Sequence, residues 1–274
     1  MTRTWMITGA TGGFGRLMTQ QLLERGDTVI AAVRRPEALG DLLAEHGEQR
    51  LQVVRLDLTD PESVRAATDQ AFAANDRVDV VVGNAGHGTF GAAEELTDAQ
   101  IARVIGVNLI GAIALIRAAL PHLRAQGGGR FLQVASEGGQ ITYPNFSAYH
   151  ASKWGIEGFV DSVAKEVAPF GIEFTLLEPG PSHTGFADAL DLAPASEVYA
   201  HTPSGDTRRA VENGELAWVD PERVAQEFIA VADVSPAPAR LALGSGPYRQ
   251  IRTALTARLA ELEAHREVTV SVDA

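Results

Sequence analysis

Apolar runs of five or six residues alternate along the chain with longer stretches in which apolar positions recur at the helical period. The runs are TWMIT (4–8), TVIAAV (28–33), LQVVRL (51–56), VDVVVG (78–83), RFLQVA (130–135) and IEFTLL (172–177). Most are rich in β-branched residues and lack strict polar alternation, the pattern of strands covered on both faces. Between them, TDPESVRAATDQAF offers Thr59 or Asp60 as a cap with Pro61 in the first turn, and residues 97–125 and 147–168 are long and periodic. Strand, helix and strand in repetition predict an α/β fold: a doubly wound parallel sheet with right-handed crossovers, in three layers α/β/α.

The pattern changes near Pro179. Residues 181–220 hold many small and turn residues without a long apolar period, which predicts a functional lid or mobile loop with short helices. A helix over 220–233, a short strand at 240–244 and a C-terminal helix of about 247–265 follow. No repeat and no linker divides the chain, so residues 1–274 read as one domain.

Composition narrows the function classes. The net charge of −12, with no basic stripe, opposes nucleic acid as a partner. The absence of cysteine excludes disulfides, thiolate metal sites and a cysteine nucleophile. The amino terminus shows no basic region followed by a long apolar run, and no 18 apolar residues stand in a row, so a cytoplasmic protein without a membrane span is expected. None of the seven histidines forms a pair spaced for a metal, and neither GxSxG nor GxxxxGK[ST] occurs.

Two clusters carry candidate chemistry. TGATGGFG follows the first strand and places Gly9, Gly13 and Gly15 at a strand-to-helix turn, where bare backbone and a helix N-terminus accommodate the pyrophosphate of a dinucleotide. At the end of the second strand Val33 stands where an acidic residue would bind an adenosine 2′-hydroxyl, and Arg34 and Arg35 follow. Arginine suits a 2′-phosphate, so NADP(H) is expected over NAD(H). In SAYHASKWGIEGF, Tyr149 and Lys153 lie one helical turn apart and share a face. Ser136 follows the strand at 130–135, and ligands of parallel sheets bind beyond such strand ends.

These landmarks together resemble the short-chain dehydrogenase/reductase family, in its single-domain branch. TGATGGFG is similar to its TGxxxGxG, GNAG (83–86) to its NNAG with Gly83 for the first asparagine, and YHASK to its YxxxK. Asn108 matches the helix asparagine, Ser136 precedes the tyrosine by thirteen residues, and EPGPSHTGF matches the PG segment with its threonine. The resemblance implies a Rossmann fold and a hydride passed between NADP(H) and a carbonyl or secondary alcohol. It implies Tyr149 as proton donor and acceptor, Lys153 lowering its pKa and holding the nicotinamide ribose, Ser136 binding the substrate oxygen, and Asn108 anchoring a water. For the cofactor it implies Thr8, Gly9, Thr11, Gly13, Phe14, Gly15, Asp57, Leu58, Asn84, Ala85 and Gly86, with Pro179, Gly180 and Thr184 at the nicotinamide end.

PGPSHT and the segment before Tyr149 resemble the hydroxysteroid-dehydrogenase-like and carbonyl-reductase-like part of the family. With Phe90, Tyr143, Phe146, Phe186, Tyr199 and Trp218 in the loops, this implies a hydrophobic or aromatic ketone as the small-molecule substrate. In relatives the helices matching 97–125 and 147–168 pack subunits together, which implies a homodimer or homotetramer. The competing readings are an NADP-binding sensor, which needs none of Ser136, Tyr149, Lys153 and Asn108, and a nucleotide-sugar epimerase or dehydratase, whose glycine spacing and larger C-terminal region differ.

Overall fold

The structure, a computed structural model, describes residues 2–215 and 218–273. Its first half runs β1 (Thr4–Thr8), α1 (Gly13–Arg25), β2 (Thr28–Val33), α2 (Gly40–His46), β3 (Leu51–Arg55), α3 (Pro61–Ala73), β4 (Val80–Gly83), β5 (Thr89–Phe90), α4 (Asp98–Ile105) and α5 (Ala112–Ala125). The second runs β6 (Gly129–Val134), α6 (Ser147–Val167), β7 (Ile172–Pro179), β8 (Asp191–Leu192), α7 (Pro203–Glu212), α8 (Pro221–Ala230), β9 (Arg240–Leu243), α9 (Ser245–Ala264) and α10 (Arg266–Val270). Seven strands pair in the order β3-β2-β1-β4-β6-β7-β9, every pair parallel. The order reverses between β1 and β4, which opens a crevice at the carboxyl ends of the strands.

Each strand divides its side chains between two cores, because successive residues point to opposite faces. Met6, Ile30 and Phe131 pack with Val64 of α3, Leu115 and Ile116 of α5, and Ile156 and Val160 of α6. Trp5, Ile7 and Val29 pack on the other side with Leu22 of α1 and Phe228 of α8. The expected doubly wound sheet is therefore present, and its strand boundaries fall within two residues of the hydrophobic runs.

Local chemistry starts and stops the helices. Asp60, of the two candidate caps, accepts from the Glu62 amide at 2.9 Å. Thr97 and Gln100 form a reciprocal capping box at α4. Gly26 ends α1 in the left-handed region, φ 102°.

The stretch 97–125 departs from a plain helix. Between α4 and α5 the residues Gly106–Gly111 widen into a π-helical turn that carries Asn108. Gly111 packs there against the Leu58 carbonyl, where a Cβ would come within 2.6 Å. The 28 residues from Asp98 to Ala125 are long and apolar enough to cross a membrane by length and composition, and Leu115, Ile116, Ala119 and Leu123 supply one face to the core.

Thr8 ties β1 to β4. Its hydroxyl donates to the Val82 carbonyl at 3.2 Å and accepts the amides of Asn84 at 2.9 Å and Ala85 at 3.1 Å. Thr8→Val keeps the shape and strips these bonds, so it should lower stability by about 2 kcal/mol, read from urea denaturation midpoints.

Candidate active site

The crevice begins at the glycine turn. Gly9 and Gly13 take φ of 70° and 53°, which L side chains rarely adopt. Gly15 has no room for a side chain: a Cβ would lie 2.4 Å from the Gly9 oxygen and 2.5 Å from Asn84 Nδ2. The start of α1 has no side-chain cap and no acidic residue in its first turn, and open space surrounds Gly12. Uncapped amides at the positive end of a helix dipole fit a pyrophosphate.

The other residues expected around a cofactor sort into two groups. Thr8 and Asn84 spend their polar atoms on the frame, Asn84 Nδ2 donating to the Thr8 carbonyl at 2.9 Å. Phe14 turns its ring edge-on to Phe228, 5.2 Å between centroids, and Leu58 is buried in the core. Facing the crevice are Thr184, whose Cβ would lie 3.3 Å from a Cβ on Gly13, and Ala85, which abuts Gly9. Arg34 and Arg35 stand exposed at the end of β2. Asp57 accepts from the Thr59 amide at 2.9 Å and the Thr59 hydroxyl at 2.7 Å, and these bonds, with smaller help from Arg34 and Arg55, hold its pKa down.

Across the crevice, β6 ends at Ser136 and α6 presents Tyr149 and Lys153. The Ser136 hydroxyl lies beside the Tyr149 phenol and acts to lower its pKa, and Ser136 Oγ accepts the Gly138 amide at 3.0 Å. Lys153 is buried; its Nζ donates to the Val134 carbonyl at 3.0 Å and lies 5.7 Å from the centre of the Tyr149 ring. Burial lowers the Lys153 pKa to about 8, against an opposing pull from Glu157. Tyr149 moves the other way from the depression that a neighbouring ammonium predicts: burial dominates and pushes the phenol up to about 12, with the Ser136 hydroxyl opposing and the Glu137 charge adding to the rise.

Asn108 joins the loop after β4 to α6. Its Oδ1 accepts the His87 amide at 3.0 Å, and its Nδ2 donates to the His87 carbonyl at 2.8 Å and to Ser152 Oγ at 3.2 Å. A Cβ on Gly86 would lie 3.1 Å from Asn108 Oδ1 and 4.0 Å from Lys153 Nζ. His150 is bound on both ring nitrogens, to the Gly138 carbonyl and the Tyr143 amide, each at 2.8 Å.

The aromatic residues of the loops do not form one wall. Phe186 lies 5.7 Å and Phe146 6.0 Å from the Tyr149 ring, and Phe90 packs on Phe146 at 5.0 Å. Trp218 instead stacks on His183 at 3.8 Å, Tyr143 bonds Glu137 and Gln250, and Tyr199 has the Glu94 carboxylate beside it, which raises its pKa. The segment 181–220 is pinned by polar contacts: Arg208 to Glu95 at 2.9 Å, Arg103 to Asp191 at 2.6 Å, and Ser196 N to Glu95 at 2.7 Å. Residues 216 and 217, inside the expected lid, lie outside the described residues.

Two features escaped the motifs. Asn145 takes φ 69° just before α6, donates to the Ser204 carbonyl at 2.8 Å and accepts the Gly91 amide at 2.9 Å; the Pro-Asn pair before it is a turn signal that marks the place. Behind Ser136 lies a knot of buried carboxylates. Arg240 reaches Glu157 at 3.3 Å, Glu178 at 3.4 Å and Asp161 at 2.5 Å, and Gln140 donates to Glu157. One arginine faces three carboxylates, and burial with the neighbouring negative charges pushes Glu178 up to about 8.

A glycine turn on one side of the crevice, with Ser136, Tyr149 and Lys153 gathered on the other, stands on a sheet of the dinucleotide-binding class. Residues 3–194 match the family model for short chain dehydrogenases. An oxidoreductase of Botryotinia fuckeliana is 34% identical over 274 residues, covering 99% of each chain. Estradiol 17-beta-dehydrogenase 1 of Rattus norvegicus is 33% identical over 252 residues, covering 85% of this chain and 71% of its own. The crystal structure of a short-chain dehydrogenase from Streptomyces avermitilis superimposes with a TM-score of 0.91 at 34% identity over the whole of both chains. The chain belongs to the short-chain dehydrogenase family and is an oxidoreductase of that family.

Folded Glu178 keeps its proton to about 8, above the ordinary value of 4.5 that the unfolded chain regains. Its contribution to stability is full below about 4.5 and lost as pH rises through about 8. Glu178→Gln should flatten the decline in stability across that window, seen as urea midpoints that diverge from wild type as pH rises.

Proposed function

We propose that the protein is an NADP(H)-dependent oxidoreductase that moves a hydride between the nicotinamide and a carbonyl or secondary alcohol, acting on a hydrophobic or aromatic ketone. The observation that carries this reading is the Ser136 hydroxyl beside the Tyr149 phenol, with the buried ammonium of Lys153 beside the same ring. Two hydroxyls so placed can take one substrate oxygen, Ser136 stabilising its developing charge and Tyr149 delivering or removing its proton. A phenol pushed up to about 12 keeps its proton at neutral pH, so the donor form is the one present, and an alkoxide formed in reduction is a stronger base that can take that proton. Lys153 carries the charge that eases the proton's departure from Tyr149 and holds a ribose hydroxyl. Asn108 has both side-chain donors engaged, which leaves the second lone pair of Oδ1 for a water that leads protons towards Lys153.

The nicotinamide cofactor supplies the hydride when bound. Gly9 to Gly15 and the amides at the start of α1 hold its pyrophosphate, and Arg34, with Arg35 beside it, holds the 2′-phosphate. Asp57 and Leu58 border the adenine, Asn84 to Gly86 the adenosine, and Pro179, Gly180 and Thr184 the nicotinamide. Residues 181–220 close over the substrate as a lid, with Phe186, Phe146 and Phe90 giving the apolar wall beside Tyr149.

NADPH oxidation followed at 340 nm against a panel of small, aromatic and polycyclic ketones tests the reading, with NADH run in parallel. Tyr149→Phe should retain NADPH binding and lose about 10²-fold or more in turnover; unchanged turnover would sink the assignment. Arg34→Glu should raise KM for NADPH about tenfold or more while leaving NADH little changed, since a charge-assisted bond to the phosphate is lost.

A further inference from the structure

Helix α9 carries a face that the domain leaves bare. Pro247, Ile251 and Ala254 turn inward, and Arg258 holds the helix to the body through the Trp154 ring at 4.9 Å and the Gln140 carbonyl at 2.9 Å. Beside that line, Tyr248, Leu255, Leu259 and Leu262 are 61%, 49%, 59% and 58% exposed. With Arg252 they are spaced alternately by four and three residues, the seam by which one helix packs along another. Every residue from 259 to the end of α9 is exposed. The last turns project beyond the domain.

The charges on the same helix are arranged against its own dipole. Arg249 and Arg252 occupy the first half with no acidic residue, and Glu261 and Glu263 occupy the last turn with no basic one. An isolated helix prefers the reverse. Arg249, Arg252, Glu261 and Glu263 also make no ion pair among the described residues. A second α9 running antiparallel satisfies both features together. Centred at residue 257, it sets Leu255 opposite the partner's Leu259 and Arg252 opposite the partner's Leu262, between the partner's Glu261 and the partner's Glu263. The same pairs recur on the other side of the axis, as a two-fold interface requires.

We propose that α9 is a self-association surface, pairing antiparallel with α9 of a second copy of this chain through Leu255, Leu259 and Leu262, with Arg252 set between acidic residues. The seam takes its side chains from α9 alone and uses none from the helices 97–125 and 147–168 or from the candidate active site.

Sedimentation equilibrium on the full chain, with disulfide trapping, tests it. Wild type should sediment at a multiple of 29.1 kDa, and Leu255→Asp/Leu259→Asp should weaken association roughly 10-fold or more while NADPH binding and melting temperature stay as in wild type. Arg252→Glu should weaken it, and adding Glu263→Arg to the same chain should restore it. The chain has no cysteine, so Leu255→Cys mixed with Leu259→Cys should form the mixed disulfide dimer on oxidation far faster than either variant alone. A monomeric wild type, an unchanged mass for the aspartate variant, or equal self-linking of Leu255→Cys, the sign of a parallel pair, would overturn the proposal.

Discussion

The crevice depends on how closely α1 can approach the ends of β1 and β4. That approach is limited by one missing carbon: any Cβ on Gly15 would overlap the Gly9 carbonyl and the Asn84 amide. With α1 seated, Asn84 binds back to Thr8, and the chain beyond it passes Gly86 beneath Asn108. Asn108 then grips the His87 backbone and Ser152, one residue before Lys153. A contact at the glycine turn is thus carried by short hydrogen-bonded steps to the opposite wall, and the two halves of the site share one frame.

The electrostatics of that frame oppose ionisation nearly everywhere. Lys153, Tyr149, Glu157 and Glu178 all have their charged forms disfavoured by burial. Low dielectric makes an unpaired charge costly and a proton transfer between neighbours sensitive to small changes in field. The knot around Arg240 sits directly behind the turn that holds Ser136, since a Cβ on Gly139 would collide with Glu157. The positions of the hydroxyls and the state of the buried carboxylates are therefore mechanically connected.

Most of the fold was legible because it follows from local rules. Buried parallel strands announce themselves as unbroken β-branched runs, and Asp60, Pro61 and Thr97 mark helix starts by their own hydrogen bonds. Ser136, Tyr149 and Lys153 were found by their position after a strand and along a helix, and the structure brings them together. The π-helical turn at Asn108 was not legible, because its cause is the packing of Gly111 on Leu58 from a distant element. The same holds for the knot around Arg240: Glu157, Glu178 and Arg240 lie apart in sequence and meet through the packing of α6 on β7 and the pairing of β7 with β9. The aromatic residues were identified as a set, but sequence gave no means to see that Trp218 and Tyr143 turn away to partners of their own.

Asn145 joins two parts of the molecule that do different things. Its left-handed backbone sets the direction in which α6 begins, four residues before Tyr149, while its side chain is bound to the start of α7. α7 and the helix bearing the phenol are therefore held at a common point, like a door and its latch mounted on one post. A change of sequence within α7 that breaks the bond to Asn145 acts on the first turn of α6, far along the chain from where it is made.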